Sequence, residues 1–106
     1  MKPQKLHVLI YLTENRQYAA DCLELNVTAT EPTPEDAAKE ITELIDDHIL
    51  VSIDNSIPPK KLFQKTTPYT IKNYERIKGF EYDYAPLLST TVRDLIESIE
   101  FKIRYD

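Results

Sequence analysis

A chain of 106 residues, 42% hydrophobic and 29% charged, is expected to fold as one globular domain around a single core. Its net charge of −5 argues against indiscriminate nucleic-acid binding, and its one cysteine excludes an internal disulfide. No apolar run approaches the about eighteen residues of a membrane helix, and the opening sequence lacks a signal-peptide cleavage site, so we expect a cytoplasmic protein.

The charges are unevenly distributed along the chain. From Glu31 to Asp54 there are eight acidic residues and one base, and from Pro58 to Phe80 there are six basic residues and one acid. This pattern favours pairing with another copy of the chain, or with a partner of complementary charge. Two solvated surfaces would produce the same pattern.

The first predicted elements are three strands. Lys5–Thr13 carries apolar residues on both faces, which indicates a central strand. A polar turn follows, and Gln17–Leu25 is predicted to return antiparallel to the first strand as a hairpin. Val27–Thr30 is short and β-branched, which predicts a third strand.

The segment Thr33–Leu50 carries the clearest pattern in the chain. Apolar residues recur at three- and four-residue spacing, which predicts an amphipathic helix. Thr33 is predicted to be its N-cap and Pro34 its first residue. The buried stripe is expected to contain Ala37, Ala38, Ile41, Leu44, Ile45 and Ile49. The acidic face carries Glu35, Asp36, Lys39, Glu40, Glu43, Asp46 and Asp47.

The second half of the chain gives weaker signals. Thr67 and Pro68 predict the start of another helix, which is expected to end at Gly79. Phe80–Tyr84 alternates like a brief strand. The last segment fits a helix to about Ser98 and then a strand, although a single helix to Tyr105 fits the same residues.

Three strands, a helix and a returning strand predict an α+β fold. We expect a small β-β-β-α-β sheet with one face covered by the amphipathic helix. The last strand is expected to lie parallel to the first, because a crossover connects it to the helix. Residues 55–98 would then be a helical insertion between the main helix and the last strand of a single domain over residues 1–106.

The residues from Tyr18 to Ile45 combine three features in order. A strand ends in Cys22, Leu23 and Leu25, and a short strand rich in Val and Thr follows at Val27–Thr30. Thr33, Asp36 and Ala37 then open the amphipathic helix as a Thr-x-x-Asp/Glu-Ala motif. This arrangement resembles the HicB-like antitoxin family, with Glu31 and Pro32 in place of the family's Gly ahead of the helix.

The resemblance implies a degenerate ribonuclease-H-like sheet and a protein that binds and blocks a small RNA-cleaving toxin. Many members add a DNA-binding tail, but no basic recognition segment is found here, so DNA binding is not expected. The expected partner is a small basic protein, and a homo-oligomer is also expected. Partner contacts are assigned to the acidic helix face or to a sheet edge, with Glu35, Lys39, Glu40, Glu43, Asp46 and Asp47 on the helix.

The acidic, histidine and cysteine residues do not form a recognisable catalytic pattern in the sequence. A ribonuclease-H nuclease needs several carboxylates around Mg²⁺, whereas Asp21 and Glu24 are expected on opposite faces of the second strand. His7 and His48 lack a second ligand at useful spacing, and His48 is expected to be half-buried. Cys22 is expected to be a buried, inert thiol. We therefore predict a non-enzymatic protein with no cofactor and no metal site.

The alternative to protein binding is a small RNA-binding module in the basic segment Pro58–Phe80. Lysines can neutralise phosphates, and aromatic rings can stack on bases. The candidate contacts are Lys60, Lys61, Lys65, Tyr69, Lys72, Arg76 and Lys78, interleaved with Phe63, Tyr74 and Phe80. The same aromatic residues also fit a packed core beneath a soluble surface.

Overall fold

The computed structural model describes residues 2–64, 68–77, 79–80 and 84–104, without the side chains of residues 59, 60, 68, 69, 71, 80 and 85. The strands are β1 (Gln4–Leu12), β2 (Tyr18–Cys22), β3 (Val27–Glu31), β4 (Gly79–Phe80) and β5 (Ile96–Arg104). The helices are α1 (Pro34–Asp54), α2 (Pro59–Leu62), α3 (Pro68–Glu75) and α4 (Thr90–Arg93). The strands form one mixed sheet in the order β3-β2-β1-β5-β4.

Strand β1 is the centre of the sheet. It pairs antiparallel with β2 and parallel with β5, and β2 in turn pairs antiparallel with β3. The two-residue strand β4 pairs antiparallel with β5 on the other side. The predicted α+β fold, with a helix on one face of a small sheet, is confirmed, and the last strand lies parallel to the first as expected.

Helix α1 covers one face of this sheet, mainly over β2 and β3. The Thr33 hydroxyl accepts the N–H of Asp36 at 3.1 Å, and Pro34 occupies the first turn, so both predicted start signals are used. The helix continues beyond Leu50 to Asp54, where the apolar run gives way to the polar residues Asp54, Asn55 and Ser56. The core between helix and sheet contains Leu6, Val8, Ile10, Ile41, Ile45, Ile49, Phe101 and Ile103.

The predicted boundary between the last helix and the last strand is wrong. Helix α4 ends at Arg93, and β5 begins at Ile96, so the residues up to Ser98 belong to the strand. The N–H of Gln4 donates to the carbonyl of Leu95 at 2.8 Å, and Gln4 then pairs with Ile96. Pairing of β5 with β1 from Gln4 to Tyr11, with a register shift after Gln4, therefore outweighs the helical spacing. The connection between α1 and β5 is residues 55–95.

Two further boundaries differ from expectation. Strand β2 ends at Cys22 instead of Leu25, because residues 23–26 form a turn in which Asn26 has a φ of 55° and donates its N–H to the Cys22 carbonyl at 3.0 Å. Gly79 does not end a helix in the left-handed region; it begins β4, opposite Lys102. Of the strand expected over Phe80–Tyr84, Phe80 is in β4, and residues 81–83 lie outside the described residues.

Replacing Ile45 with alanine tests the packing of α1 on the sheet. Ile45 is fully buried, so Ile45→Ala is expected to lower the free energy of unfolding by about 2–5 kcal/mol through lost burial and a cavity. Val51 lies on the same helix but is 58% exposed, so Val51→Ala should change it by less than about 0.5 kcal/mol. Urea denaturation followed by circular dichroism measures both, and equal losses would contradict this packing.

Candidate functional site

The outer side of α1 carries the carboxylates of Asp36, Glu40 and Glu43 along one edge of the sheet, and these three are called the acidic row. A shallow recess of about 230 Å³ is lined by Glu31, Asp36, Lys39, Glu40 and Glu43. Four of these five residues are acidic, and Lys39 is the base among them. Glu43 and Lys39 are exposed, and Glu40 is half-buried. The recess therefore has a negative electrostatic character.

A second recess, of about 420 Å³, lies further along the same side of α1. It is more apolar, and it is lined by Val27, Thr28, Leu44, Asp47, His48 and Val51. Val51 is one of the few large hydrophobic residues that are strongly exposed, and His48 is half-buried, as predicted. Both recesses lie between β3 and α1, and together they are called the β3–α1 groove.

Strand β3 borders this groove and is an edge of the sheet. Within the described part of the chain it pairs with β2 alone, in unbroken register from Glu31 opposite Tyr18 to Val27 opposite Cys22. A strand with one neighbour leaves alternate backbone N–H and C=O groups unpaired. The five residues of β3 include no Lys, no Pro and no bulge, which are features that commonly block an edge.

The structure brings together four of the six predicted partner contacts. Lys39, Glu40, Glu43 and Asp47 line the β3–α1 groove. The other two do not line it. Asp46 accepts the backbone N–H of Ser89 at 2.7 Å, which holds the start of α4 against α1. Glu35 is exposed in the first turn of α1, where its carbonyl accepts the hydroxyl of Tyr84 at 3.4 Å.

The opposite face of the sheet contains a partly buried polar contact between His7 and Glu24. The His7 backbone N–H donates to Glu24 Oε1 at 2.8 Å, and His7 Nδ1 lies 2.6 Å from Glu24 Oε2. Glu24 is only 7% exposed, and it lies in the turn after β2. The expectation that Glu24 belongs to β2, on the face opposite Asp21, is therefore wrong.

Tyr74 of α3 packs over this contact and joins the helix to the sheet. Its ring meets His7 edge-on, with the centroids 5.4 Å apart, and its hydroxyl is shared between the carbonyls of Val8 at 3.3 Å and Glu100 at 3.0 Å. Burial, with the charges of Glu100 and Glu24, raises the pKa of the Tyr74 hydroxyl. Lys102 donates to the Tyr74 carbonyl at 3.1 Å and lies 4.6 Å from its ring centroid.

Strand β2 carries Asp21 and Cys22, one candidate metal ligand and one candidate nucleophile. Cys22 is 1% exposed, and burial, assisted by the charge of Glu24, raises the pKa of its thiol to about 12. Asp21 accepts the Thr28 hydroxyl at 2.8 Å. No group of three or more His, Cys, Asp or Glu side chains in the described part of the chain is placed to hold a metal ion.

The basic segment is described only in part. Lys61, Lys72 and Arg76 are exposed. The packed-core alternative holds for Tyr74, which is 3% exposed and cannot stack on a base, and Phe63 packs partly buried against the core. The remaining side chains of this candidate site, those of Lys60, Lys65, Tyr69, Lys78 and Phe80, lie outside the described residues.

Comparisons of this chain with protein-family models, with curated proteins and with solved structures find no match. The functional assignment therefore depends on the residues and geometry of the chain itself. None of the helices in the described residues is both long enough and apolar enough to cross a membrane.

Two features of the site have no strong signature in the sequence. The His7–Glu24 contact joins residues 17 positions apart, and it forms only when the turn after β2 folds back beside β1. The apolar end of the groove needs β3 and α1 to pack together. The sequence contains one signal for this apolar end, because Val51 is an apolar residue outside the buried stripe of Ile45 and Ile49.

Removing the Glu24 carboxylate is expected to destabilise the fold. Glu24→Ala leaves the His7 backbone N–H without its acceptor in a partly buried site, which costs about 1–3 kcal/mol of the free energy of unfolding. Glu24→Gln keeps an oxygen acceptor and should lose less. The exposed Glu97→Ala serves as a control, with a change below about 0.5 kcal/mol in urea denaturation. Equal stability of all three variants would contradict the contact.

Alkaline pH is expected to destabilise the fold through Cys22. Burial raises the pKa of this thiol from 9.0 to about 12, so the folded state keeps the proton that the unfolded chain releases. The stabilisation is complete below pH 9.0 and is lost as the pH rises towards 12, with a slope of at most about 1.4 kcal/mol per pH unit. Cys22→Ala should show a shallower alkaline decline than the wild type in urea titrations at successive pH values. Identical slopes would contradict the assignment.

Proposed function

We propose that this protein is a non-catalytic, HicB-like interaction module that binds a small basic protein. The main support is the β3–α1 groove, in which carboxylates of Glu31, Asp36, Glu40 and Glu43 accompany an exposed apolar end at Val51. The resemblance of residues 18–45 to the HicB-like family makes an antitoxin role the preferred form of this function, and the partner would then be a small RNA-cleaving toxin.

The free energies of ion pairing and of complex formation indicate what each end of the groove would contribute to binding. An exposed ion pair contributes about 0.2–1 kcal/mol, so the four carboxylates together supply a few kcal/mol at most. A micromolar complex needs about 8 kcal/mol. The acidic row would therefore accelerate and orient the encounter with a basic partner, while burial of Val51 and Leu44 would supply affinity.

A non-catalytic role is supported by the state of the reactive side chains. The raised pKa of the Cys22 thiol disfavours the nucleophilic thiolate at neutral pH. The carboxylates of Asp21 and Glu24 accept hydrogen bonds from the protein, and Glu24 is buried. The hydrogen bonds of these carboxylates connect the sheet and its turn. This structural role supports an interaction function rather than a catalytic one.

RNA binding through the basic segment is the second proposal. It is supported by the exposed cations Lys61, Lys72 and Arg76, and it is weakened by the burial of Tyr74. Phosphate contacts made by these cations would cause the RNA affinity to decline steeply with salt. A homo-oligomer also stays a prediction, since the exposed cations Lys61, Lys72 and Arg76 in one copy could contact the acidic groove of another.

Charge reversal in the groove is expected to abolish partner capture. Glu40→Lys/Glu43→Lys changes the net charge by +4, because each substitution removes one negative charge and adds one positive charge. The double variant should lose a basic protein that the wild type retains from a lysate of the native host. Glu75→Lys/Glu97→Lys has the same net charge change on exposed residues outside the groove and should retain it. Mass spectrometry identifies the protein, and a complex reconstituted from the two purified proteins confirms it by size-exclusion chromatography.

The outcomes of this capture experiment separate the proposals. Loss in both double variants would indicate a net-charge effect and contradict the assignment to the groove. Absence of any reconstituted basic protein would contradict the interaction role. Binding of a labelled RNA at low salt that is lost in Lys61→Glu/Lys72→Glu/Arg76→Glu would favour the RNA-binding module instead.

A further inference from the structure

We propose that the basic partner binds by adding a β-strand to the open edge of β3, beneath the acidic row of α1. This inference rests on the proposed function and specifies its binding mode. Strand β3 pairs with β2 alone among the described residues, and its register is unbroken, so its outer N–H and C=O groups form a template for another strand. Five residues of β3 extend over about 17 Å, enough to pair with a short extended segment.

The groove sets the side-chain pattern of the added strand. Glu31 and Asp36 lie at one end of the β3–α1 groove, and Val27 and Val51 lie at the other. Alternate residues of a strand point to the same face, so every second side chain of the partner would face α1. We infer a segment whose α1-facing residues are Lys or Arg near Glu31 and aliphatic near Val27.

Charge decides between a basic partner and a second copy of this chain. Antiparallel pairing of two β3 strands about a two-fold axis would place both α1 helices on the same face of the joint sheet. The carboxylates of Asp36, Glu40 and Glu43 in one copy would then face those of the other, and this repulsion disfavours such a dimer. A cationic strand meets the same carboxylates with attraction.

The test uses two fluorescent octapeptides. One alternates threonine with two lysines followed by two valines, and the other has the reverse order, so that either strand direction is available. One of them is expected to bind the wild-type protein at low ionic strength. Binding should weaken about tenfold or more in Glu40→Lys/Glu43→Lys and in Val51→Ser, and it should persist in Glu75→Lys/Glu97→Lys.

Backbone methylation distinguishes strand addition from simple charge attraction. N-methylation of alternate peptide residues removes the N–H donors on one side of the strand without changing its charge. One of the two alternating sets should weaken binding about tenfold, through the loss of two or more backbone hydrogen bonds, while the other set serves as the matched control. Hydrogen exchange measured by NMR should also show alternate amides within residues 27–31 becoming protected in the complex.

Three outcomes would overturn the inference. Binding that depends on Glu40 and Glu43 but is unaffected by either methylation set would show docking without strand addition, and it would leave the proposed function intact. Failure of both peptides to bind would reject strand addition, while the capture experiment tests the proposed function independently. Concentration-dependent protection of residues 27–31 without peptide would assign the edge to a second copy.

Discussion

The burial of one stripe of α1 against the sheet is the interaction on which the rest of the structure depends. Ile41, Ile45 and Ile49 are fully buried, and each contributes about 1.5–3 kcal/mol relative to exposure. The helix lies mainly over β2 and β3 rather than over β1 and β5. The outer side of α1 consequently lies beside β3, at the edge of the sheet. The packing that buries the core therefore also creates the β3–α1 groove.

One face of the sheet packs the apolar core and the other makes polar contacts, and the alternation of side chains along each strand separates the two sets of residues. On β5, Phe101 and Ile103 enter the apolar core, while Lys102 between them reaches Tyr74 on the opposite face. A slip of one residue would place a lysine in the apolar core and would separate it from the Tyr74 carbonyl. The satisfied polar contacts beneath α3 thus help to specify the parallel register of β5 with β1.

Local signals in the sequence were sufficient for the first half of the fold. The capped, periodic α1 and the three strands before it follow from near-neighbour patterns, and the parallel position of β5 follows from the crossover rule. The start of β5 is predicted too late because Ile99 fits both the helical spacing with Ile96 and the strand alternation with Phe101 and Ile103, and Ile96 joins the strand only through a register shift against β1. Only the presence of β1 beside them decides between the two.

The site was predictable to the extent that it belongs to one element. Glu40, Glu43 and Asp47 lie on one side of a single helix, and helical periodicity places them together without any tertiary information. The same periodicity also places Asp46 near this surface, but its carboxylate accepts a hydrogen bond from the backbone N–H of Ser89, 43 residues away. The contribution of β3 was also hidden, because which strand remains at the edge depends on the position of β5 beyond β1.

The acidic row and the open edge are most informative when they are considered together. An unblocked strand edge attracts any extended chain, since backbone hydrogen bonds carry little sequence information, and proteins usually protect such edges. Here the edge residues are Val27, two Thr, one Ala and a terminal Glu, and the proposed protection is provided by the neighbouring helix. In this proposal the carboxylates above the edge disfavour pairing with the β3 strand of another copy and favour a cationic strand. Backbone pairing would then supply much of the affinity, while the carboxylates of α1 would determine which partner strand binds.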